Sequence, residues 1–129
     1  MRKFVYMAAI LGALGVSAGA FGAHALKDSL LERGTTSTWQ TAVLYNLIHA
    51  IALLSAGLYG CTTPDAAKPA ARACSAWAGG VFLFSGSLYL LSLGGPRWLG
   101  PITPLGGVLL VGGWLCVLRI IPSRKGSAP

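Results

Sequence analysis

Charged side chains are scarce in this sequence. Asp, Glu, Lys and Arg make up only 10% of its 129 residues, and three of them are acidic. A typical soluble domain carries about 25% charged residues. Hydrophobic residues make up 54% of the chain, more than a water-soluble protein of this length can hide from solvent. This balance excludes an ordinary soluble domain and indicates a protein whose solvent is lipid.

Charge is absent from three of four long apolar runs, and the fourth contains only Arg119, near its end. A bilayer core about 30 Å thick needs roughly 20 apolar residues in a helix. Because lipid offers no hydrogen-bond partners, backbone groups there must bond within their own helix. The sequence therefore predicts an all-α, polytopic membrane protein: one domain, residues 1–129, forming a four-helix transmembrane bundle. The predicted helices cover about residues 4–26, 39–60, 73–93 and 102–121. A short surface helix ending at Gly34 is predicted after the first.

The basic residues lie at the ends of the apolar runs and predict an orientation. The amino terminus, the second loop and the carboxyl end carry seven Lys and Arg, against three in the first and third loops. Positive residues stay in the cytoplasm, so both termini are predicted to be cytoplasmic. Trp39 and Trp98 are then expected at the outer interface. No basic cluster alternates with aromatic residues, so nucleic acid is not a predicted partner.

The amino terminus has two interpretations. Arg2 and Lys3, an apolar run and the sequence Ala23-His24-Ala25 resemble a secretory signal with its cleavage site. The apolar stretch is longer than a usual signal core, and its glycines share one helical face. We therefore expect the first helix to be retained.

Catalytic and metal-binding patterns are missing. The three cysteines, Cys61, Cys74 and Cys116, include no CxxC pair, which argues against a disulfide framework or a zinc site. The apolar runs contain no carboxylate, and the chain has no GxSxG, HExxH or Gly-rich phosphate loop. Membrane enzymes need several polar groups around a substrate, so we predict that the protein is not an enzyme.

A glycine face marks the first helix. Small residues allow helix backbones to approach closely in lipid. This face predicts packing within the four-helix bundle, or alternatively a dimer interface. Its members are Gly12, Gly15, Gly19 and Gly22.

A polar cluster is predicted halfway along the second helix. Tyr45, Asn46 and His49 share a face there, and ionisable groups inside a membrane are functional candidates by default. The alternative is a neutral imidazole bonded across helices, to Ser85 or Tyr89 of the third helix. Ser85 completes the candidate cluster.

A second candidate site, at the outer end, consists of His24, Trp39 and Thr103. His24 differs from His49 in depth by roughly 10 Å or more, from the helical rise of 1.5 Å per residue. The two histidines are therefore not expected to share a metal ion or to ligate one haem, and no cofactor is predicted.

Four sequence blocks resemble a known family. They are Gly19-Ala-Phe-Gly-Ala-His24-Ala-Leu-Lys27, then Trp39-Gln-Thr-Ala42 with Tyr45 and His49, then Phe84-Ser-Gly-Ser-Leu-Tyr-Leu-Leu91, and Pro101-Ile-Thr-Pro-Leu-Gly-Gly107 with Gly113-Trp114. In this order they resemble domain of unknown function 423, a family that includes the YgdD- and YwdK-like bacterial inner-membrane proteins and is related to transmembrane protein 256 of animals. The resemblance implies a retained first helix and a bacterial inner-membrane location, and it implies no reaction. The matching motif positions are Gly19, Gly22, His24, Trp39, Tyr45, His49, Ser85, Gly86, Thr103, Pro104, Gly106, Gly107 and Trp114.

Three functions remain open at the level of sequence. The leading hypothesis is a non-enzymatic accessory bundle that binds membrane lipid or a partner protein, in a larger membrane complex or a homo-oligomer. The alternative is an oligomeric transporter or channel for a small solute, with the face around His49 as its polar path. A membrane enzyme or haem protein that uses His24 and His49 is the third.

Overall fold

The computed structural model describes residues 1–120, and all of its long elements are helices. The helices are α1 (Arg2–Ala23), α2 (Lys27–Glu32), α3 (Thr36–Thr62), α4 (Ala67–Ser92) and α5 (Ile102–Val117), with single 3₁₀ turns at Pro64–Ala66 and Arg97–Leu99. Residue 121 of the fourth predicted helix and the tail cations Arg124 and Lys125 lie outside the described residues.

Four of the helices are long and apolar enough to cross a membrane. The candidate spans are Arg2–Ala23, Thr36–Thr62, Pro64–Ser92 and Arg97–Val117. The predicted all-α architecture with four apolar helices is therefore confirmed. The short helix α2 also forms as predicted, and Gly34, with φ of 65°, ends the turn that follows it. Glycine adopts this left-handed conformation without steric cost.

Four helix boundaries differ from the prediction by three residues or more. Helix α3 begins at Thr36 instead of residue 39, and α5 ends at Val117 instead of residue 121. Helix α1 ends at Ala23 instead of residue 26, since the chain turns there toward α2. Helix α4 begins at Ala67 instead of residue 73, so Lys68 and Arg72 lie in helical turns and the predicted loop is wrong. Hydropathy marks the apolar part of a helix, whereas the hydrogen-bonded helix continues into the polar surroundings.

The four long helices are arranged as a row. Helix α1 packs against α3, α3 against α4, and α4 against α5, while α1 contacts α4 only slightly. Helices α3 and α5 therefore lie on either side of α4. Along the helix axes, one end of the protein carries Met1, the α3–α4 turn and Ile120. We call it the basic end, because it carries Arg2, Lys3, Lys68, Arg72 and Arg119.

Glycines allow these helices to approach closely, because a bulky side chain or the backbone of the next helix occupies the space that a Cβ would fill. A Cβ at Gly22 would collide with the Trp39 indole, and one at Gly113 with the Trp77 indole. A Cβ at Gly106 would collide with the backbone of Phe84. Small residues serve this close approach in helix packing within membranes.

The predicted glycine face of α1 packs on α3 at three of its four positions. A Cβ at Gly15 would lie 2.7 Å from Leu47 Cδ2, and one at Gly19 would lie 3.4 Å from Val43 Cγ1. Gly22 is the third of these positions. Gly12 is the exception, because a Cβ there would meet nothing within 4 Å. The interpretation as packing within the bundle therefore describes Gly15, Gly19 and Gly22, whereas Gly12 takes no part in it.

Candidate functional site

His49 is buried near the middle of α3, with both ring nitrogens hydrogen-bonded. Its Nδ1 lies 2.8 Å from the carbonyl oxygen of Tyr45, one helical turn earlier. Its Nε2 accepts a hydrogen bond of 3.1 Å from the indole Nε1 of Trp114, on α5. A carbonyl can only accept, so Nδ1 carries the proton and the ring is a neutral imidazole. The predicted partners on α4, Ser85 and Tyr89, are wrong: the bond across helices goes to α5.

Two tryptophans surround this imidazole. The Trp77 and Trp114 rings lie 5.0 Å apart, edge to face, and their centroids are 6.4 and 6.1 Å from that of His49. Trp77 is only 2% exposed, whereas 47% of Trp114 is exposed. Trp114 thus extends from α5 across Trp77 of α4 and contacts His49 of α3.

A groove of about 500 Å³ extends from these tryptophans toward the basic end. It lies between α3 and α5, and Trp77 of α4 contributes to its lining. The side of the groove stays open because α3 and α5 do not close over α4. Its lining is almost entirely apolar and consists of Ile48, Ile51, Ala52, Ser55, Ala56, Tyr59, Trp77, Trp114, Val117 and Ile120.

Apart from the indole N–H groups of Trp77 and Trp114, the polar side-chain groups of the groove are two hydroxyls toward the basic end. Ser55 Oγ donates a hydrogen bond of 2.9 Å to the carbonyl oxygen of Ile51, within its own helix. Tyr59 is 41% exposed. Its backbone carbonyl oxygen accepts a hydrogen bond from Thr62 Oγ1, whereas its phenol makes none to any residue from 1 to 120. The groove therefore presents an apolar wall along its length and a hydroxyl donor at its end.

The predicted polar cluster around His49 is divided between two places. Asn46 Nδ2 lies 3.3 Å from the Tyr89 hydroxyl, between α3 and α4, and Tyr45 stacks near His49 and against Phe84. Ser85 is fully buried on α4. Within residues 1–120, Ser85 Oγ and Asn46 Oδ1 have no hydrogen-bond partner. No hydrogen bond between described residues connects Asn46 or Ser85 with the imidazole.

The predicted outer-end site is not brought together. Trp39 is only 7% exposed, so its indole packs inside the protein, in the first turn of α3. Its predicted place at the outer interface stays a prediction. Its indole donates a hydrogen bond of 2.9 Å to the carbonyl oxygen of Ala18 and packs edge-on against Tyr89, 4.8 Å between centroids. Thr103 lies 2.6 Å from Ser87 through their hydroxyls and ties α5 to α4. His24 is exposed at the end of α1 and hydrogen-bonds with neither.

Comparisons with known proteins place this chain in a family. The profile of a family described as protein of unknown function, DUF423, matches residues 18–107. The chain belongs to this family. A UPF0382 membrane protein of Staphylococcus epidermidis is 40% identical over 123 residues, covering 92% of this chain and 93% of that protein. The UPF0382 membrane protein YwdK of Bacillus subtilis is 35% identical over 118 residues, covering 92% and 94%.

The relatives extend beyond bacteria. A UPF0382 membrane protein of Schizosaccharomyces pombe is 34% identical over 122 residues, covering 87% of this chain and 95% of that protein. No solved structure matches the chain. The relatives are named as membrane proteins, and the chain has four apolar helices, so this DUF423 protein is a membrane protein. The family name assigns no activity.

Among its described residues, the DUF423 protein has no cluster of side chains that could bind a metal ion. Across residues 1–120, no three His, Cys, Asp or Glu side chains converge. His49 already uses both nitrogens, and the cysteines are free and separate, with Cys61 exposed, Cys74 buried and Cys116 partly buried. The groove presents an apolar wall and the hydroxyls of Ser55 and Tyr59, with the neutral, hydrogen-bonded imidazole of His49 beside it.

Sequence reasoning missed the groove and Trp77. A tryptophan midway along an apolar helix was the available signal for Trp77, because indoles usually lie at the membrane interface. The position of Trp114 was named through the family resemblance, while its bond to His49 was not foreseen. The groove depends on the lateral order of the helices, which hydropathy does not encode.

Proposed function

We propose that this DUF423 protein is a non-enzymatic lipid-binding accessory protein of the bacterial inner membrane. One acyl chain of a membrane lipid lies in the groove between α3 and α5. The observation that carries the proposal is the groove itself: about 500 Å³, apolar, open to the side and lined by Trp77 and Trp114. Ligand pockets of small molecules have volumes of about 300–1,000 Å³.

The length of the groove matches one leaflet. Its lining on α3 runs from Ile48 to Tyr59, which is about 16 Å at 1.5 Å per residue. This is half of a hydrocarbon core about 30 Å thick. An acyl chain entering from the basic end would therefore extend to the membrane centre and meet Trp114 there.

The chemistry of the spans supports a binding role over an enzymatic one. Helices α3, α4 and α5 contain no Asp or Glu. The His49 imidazole donates to one partner and accepts from another, so it has no free nitrogen for proton transfer. A bound chain needs only shape and dispersion contacts, and the groove offers both.

The proposed orientation puts the basic end in the cytoplasm. Arg2, Lys3, Lys68, Arg72 and Arg119 lie at this end, against Lys27, Arg33 and Arg97 at the other. Cytoplasmic segments carry an excess of Lys and Arg. The groove would then face the cytoplasmic leaflet.

A groove-filling variant tests the proposal. The side chain of Ser55 is exposed in the groove and bonds only to its own helix, so Ser55→Phe fills the groove without removing a contact between helices. Ser75→Phe is the matched control, since Ser75 is exposed on α4 about 160° around the helix from Trp77, at 100° per residue. Both proteins are purified in mild detergent, and native mass spectrometry measures the lipid retained per chain.

We expect lipid on the unchanged protein and on Ser75→Phe, and a large loss of lipid from Ser55→Phe. Equal lipid retention by the two variants would contradict the proposal. A partner protein or a second copy of the chain that is lost only from Ser55→Phe would also overturn it, because the groove would then bind protein.

A further inference from the structure

An acyl chain alone gives the groove little selectivity. Lipid tails are as apolar as the side chains that line it, so transfer of a chain from bulk lipid into the groove involves no hydrophobic driving force. If the groove binds a chain, as proposed above, the choice among lipids is made where the chain meets its headgroup. That point is the basic end of the groove.

A hydrogen-bond donor lines the end of the groove, and a cation adjoins this lining in the sequence. Tyr59 lines the groove with a phenol that makes no hydrogen bond to the described residues. Ile120 also lines it, and Arg119, exposed in the turn after α5, directly precedes Ile120. Tyrosine hydroxyls and guanidinium groups both donate hydrogen bonds to phosphate oxygens, and arginine does so with two parallel bonds.

No carboxylate on the neighbouring helices competes for this cation. Helices α3, α4 and α5 have no acidic residue, and the described part of the basic end contains a single one, Asp65, exposed in the α3–α4 turn. Five cations accompany it, Arg2, Lys3, Lys68, Arg72 and Arg119. The opposite end is nearly balanced, with Asp28 and Glu32 beside Lys27, Arg33 and Arg97.

We infer that the groove selects an anionic glycerophospholipid of the leaflet at the basic end. One acyl chain lies along the groove, and the headgroup phosphate lies near Arg119 and the Tyr59 hydroxyl. The ammonium that distinguishes a zwitterionic lipid has only Asp65 to pair with in the described part of this end, among five cations. The inference rests on the proposed lipid-binding function and adds the class of lipid. Juxtamembrane cations attract anionic lipid by about 1 kcal/mol each, which is about fivefold in affinity.

Competition between two lipids tests this selection. Delipidated full-length protein receives equal amounts of phosphatidylglycerol and phosphatidylethanolamine with identical chains, and native mass spectrometry gives the ratio of bound lipids. We expect phosphatidylglycerol to dominate. Arg119→Gln should lower the ratio about fivefold, and Arg119→Lys, which keeps the charge, should largely restore it.

Arg72→Gln is the matched control. It removes the same charge at the same end of the protein, but Arg72 is exposed on α4 about 140° around the helix from Trp77. Equal losses in Arg72→Gln and Arg119→Gln would overturn the inference, because general surface charge would then explain the preference.

Retention of both lipids in equal amounts, with Ser55→Phe still abolishing retention, would overturn headgroup selection alone. Lipid retention that does not respond to Ser55→Phe would overturn the lipid-binding function itself. The two failures are therefore distinguishable.

Discussion

At the scale of single residues, His49 is the centre of the structure's polar chemistry. Its imidazole links α3 to α5 through Trp114 and lies between two indole rings. An isolated polar group is costly in lipid, and this one has a partner on each nitrogen. We interpret His49 as the hydrogen-bond acceptor that holds the Trp114 side chain over α4, at the end of the groove.

The double-mutant cycle of His49→Leu and Trp114→Phe measures this anchor. Each single variant should lower the free energy of unfolding in detergent, because each breaks the bond from Trp114 Nε1 to His49 Nε2. The coupling energy should be about 0.6 kcal/mol and at most about 1.7 kcal/mol, the mean and the maximum measured for hydrogen bonds between helices in membranes. Additive losses would show that the bond contributes nothing, and Ser55→Ala, which touches no other helix, serves as the control.

The sequence allowed the burial of His49 to be predicted, but not its partner. An imidazole ten residues into an apolar run must be paired, whatever the fold. Residues on α4 and α5 both offer donors, however, and the expected depth of Ser85 and Tyr89 favoured α4. Only the packed structure shows that the Trp114 indole of α5 lies across Trp77 and hydrogen-bonds to His49.

At the scale of helices, contact between elements depends on glycines that face a large neighbour. Gly106 lies against the Phe84 backbone, while a Cβ at Gly112, six residues later on the same helix, would meet nothing within 4 Å. Glycine content alone does not distinguish these two positions, because both lie in the same apolar run.

Alanine at these two glycines separates packing from helix propensity. Gly106→Ala should lower the free energy of unfolding by about 1–3 kcal/mol, the usual cost of overpacking, because the backbone of Phe84 cannot move aside as a flexible side chain can. Gly112→Ala should be neutral or slightly stabilising, since alanine favours a helix over glycine. Thermal unfolding in detergent compares them, and equal stability of the two variants would refute the packing argument.

The α1–α3 contact makes a parallel prediction. Gly15→Ala should destabilise the protein, because its Cβ would come within 2.7 Å of Leu47 Cδ2, although Leu47 can move and the cost should be smaller than at Gly106. Gly12→Ala, on the same face, should have little effect. If Gly12→Ala instead changed the oligomeric state in cross-linking, the dimer interpretation of this face would gain support over the present one.

Helix existence was predictable from the sequence, whereas helix ends were less so. Four uncharged or nearly uncharged runs can only be spans. The start of α4 at Ala67 was missed because Lys68, Pro69 and Arg72 are typical of a loop by composition. Proline is tolerated in the first turn of a helix, where its missing N–H has no partner to lose.

At the scale of the whole molecule, the row of α1, α3, α4 and α5 leaves one side of α4 open between its neighbours. Composition and hydropathy set the number of helices and their depth. The order of helices within the membrane plane depends on side-chain shape, as at Gly22 with Trp39 and Gly113 with Trp77. The groove follows from this order and so could not be predicted from the sequence.

The orientation of the molecule can be tested with Cys61. This free cysteine is exposed at the basic end of α3, whereas Cys74 is buried. A membrane-impermeant maleimide should label Cys61 in inverted inner-membrane vesicles and not in intact spheroplasts, with mass spectrometry locating the label. Labelling from the periplasmic side alone would reverse the proposed orientation.

The most direct measurement of the central claim is photo-cross-linking with a phospholipid that carries a diazirine in its acyl chain. Reconstituted protein is irradiated, and the modified residues are identified by mass spectrometry. If lipid binds in the groove, cross-links concentrate on groove residues between Ile48 and Tyr59 of α3 and between Trp114 and Ile120. Ser55→Phe then removes these cross-links, and Ser75→Phe does not. Cross-links spread evenly over the exposed faces of all four long helices, unchanged by Ser55→Phe, would contradict lipid binding in the groove.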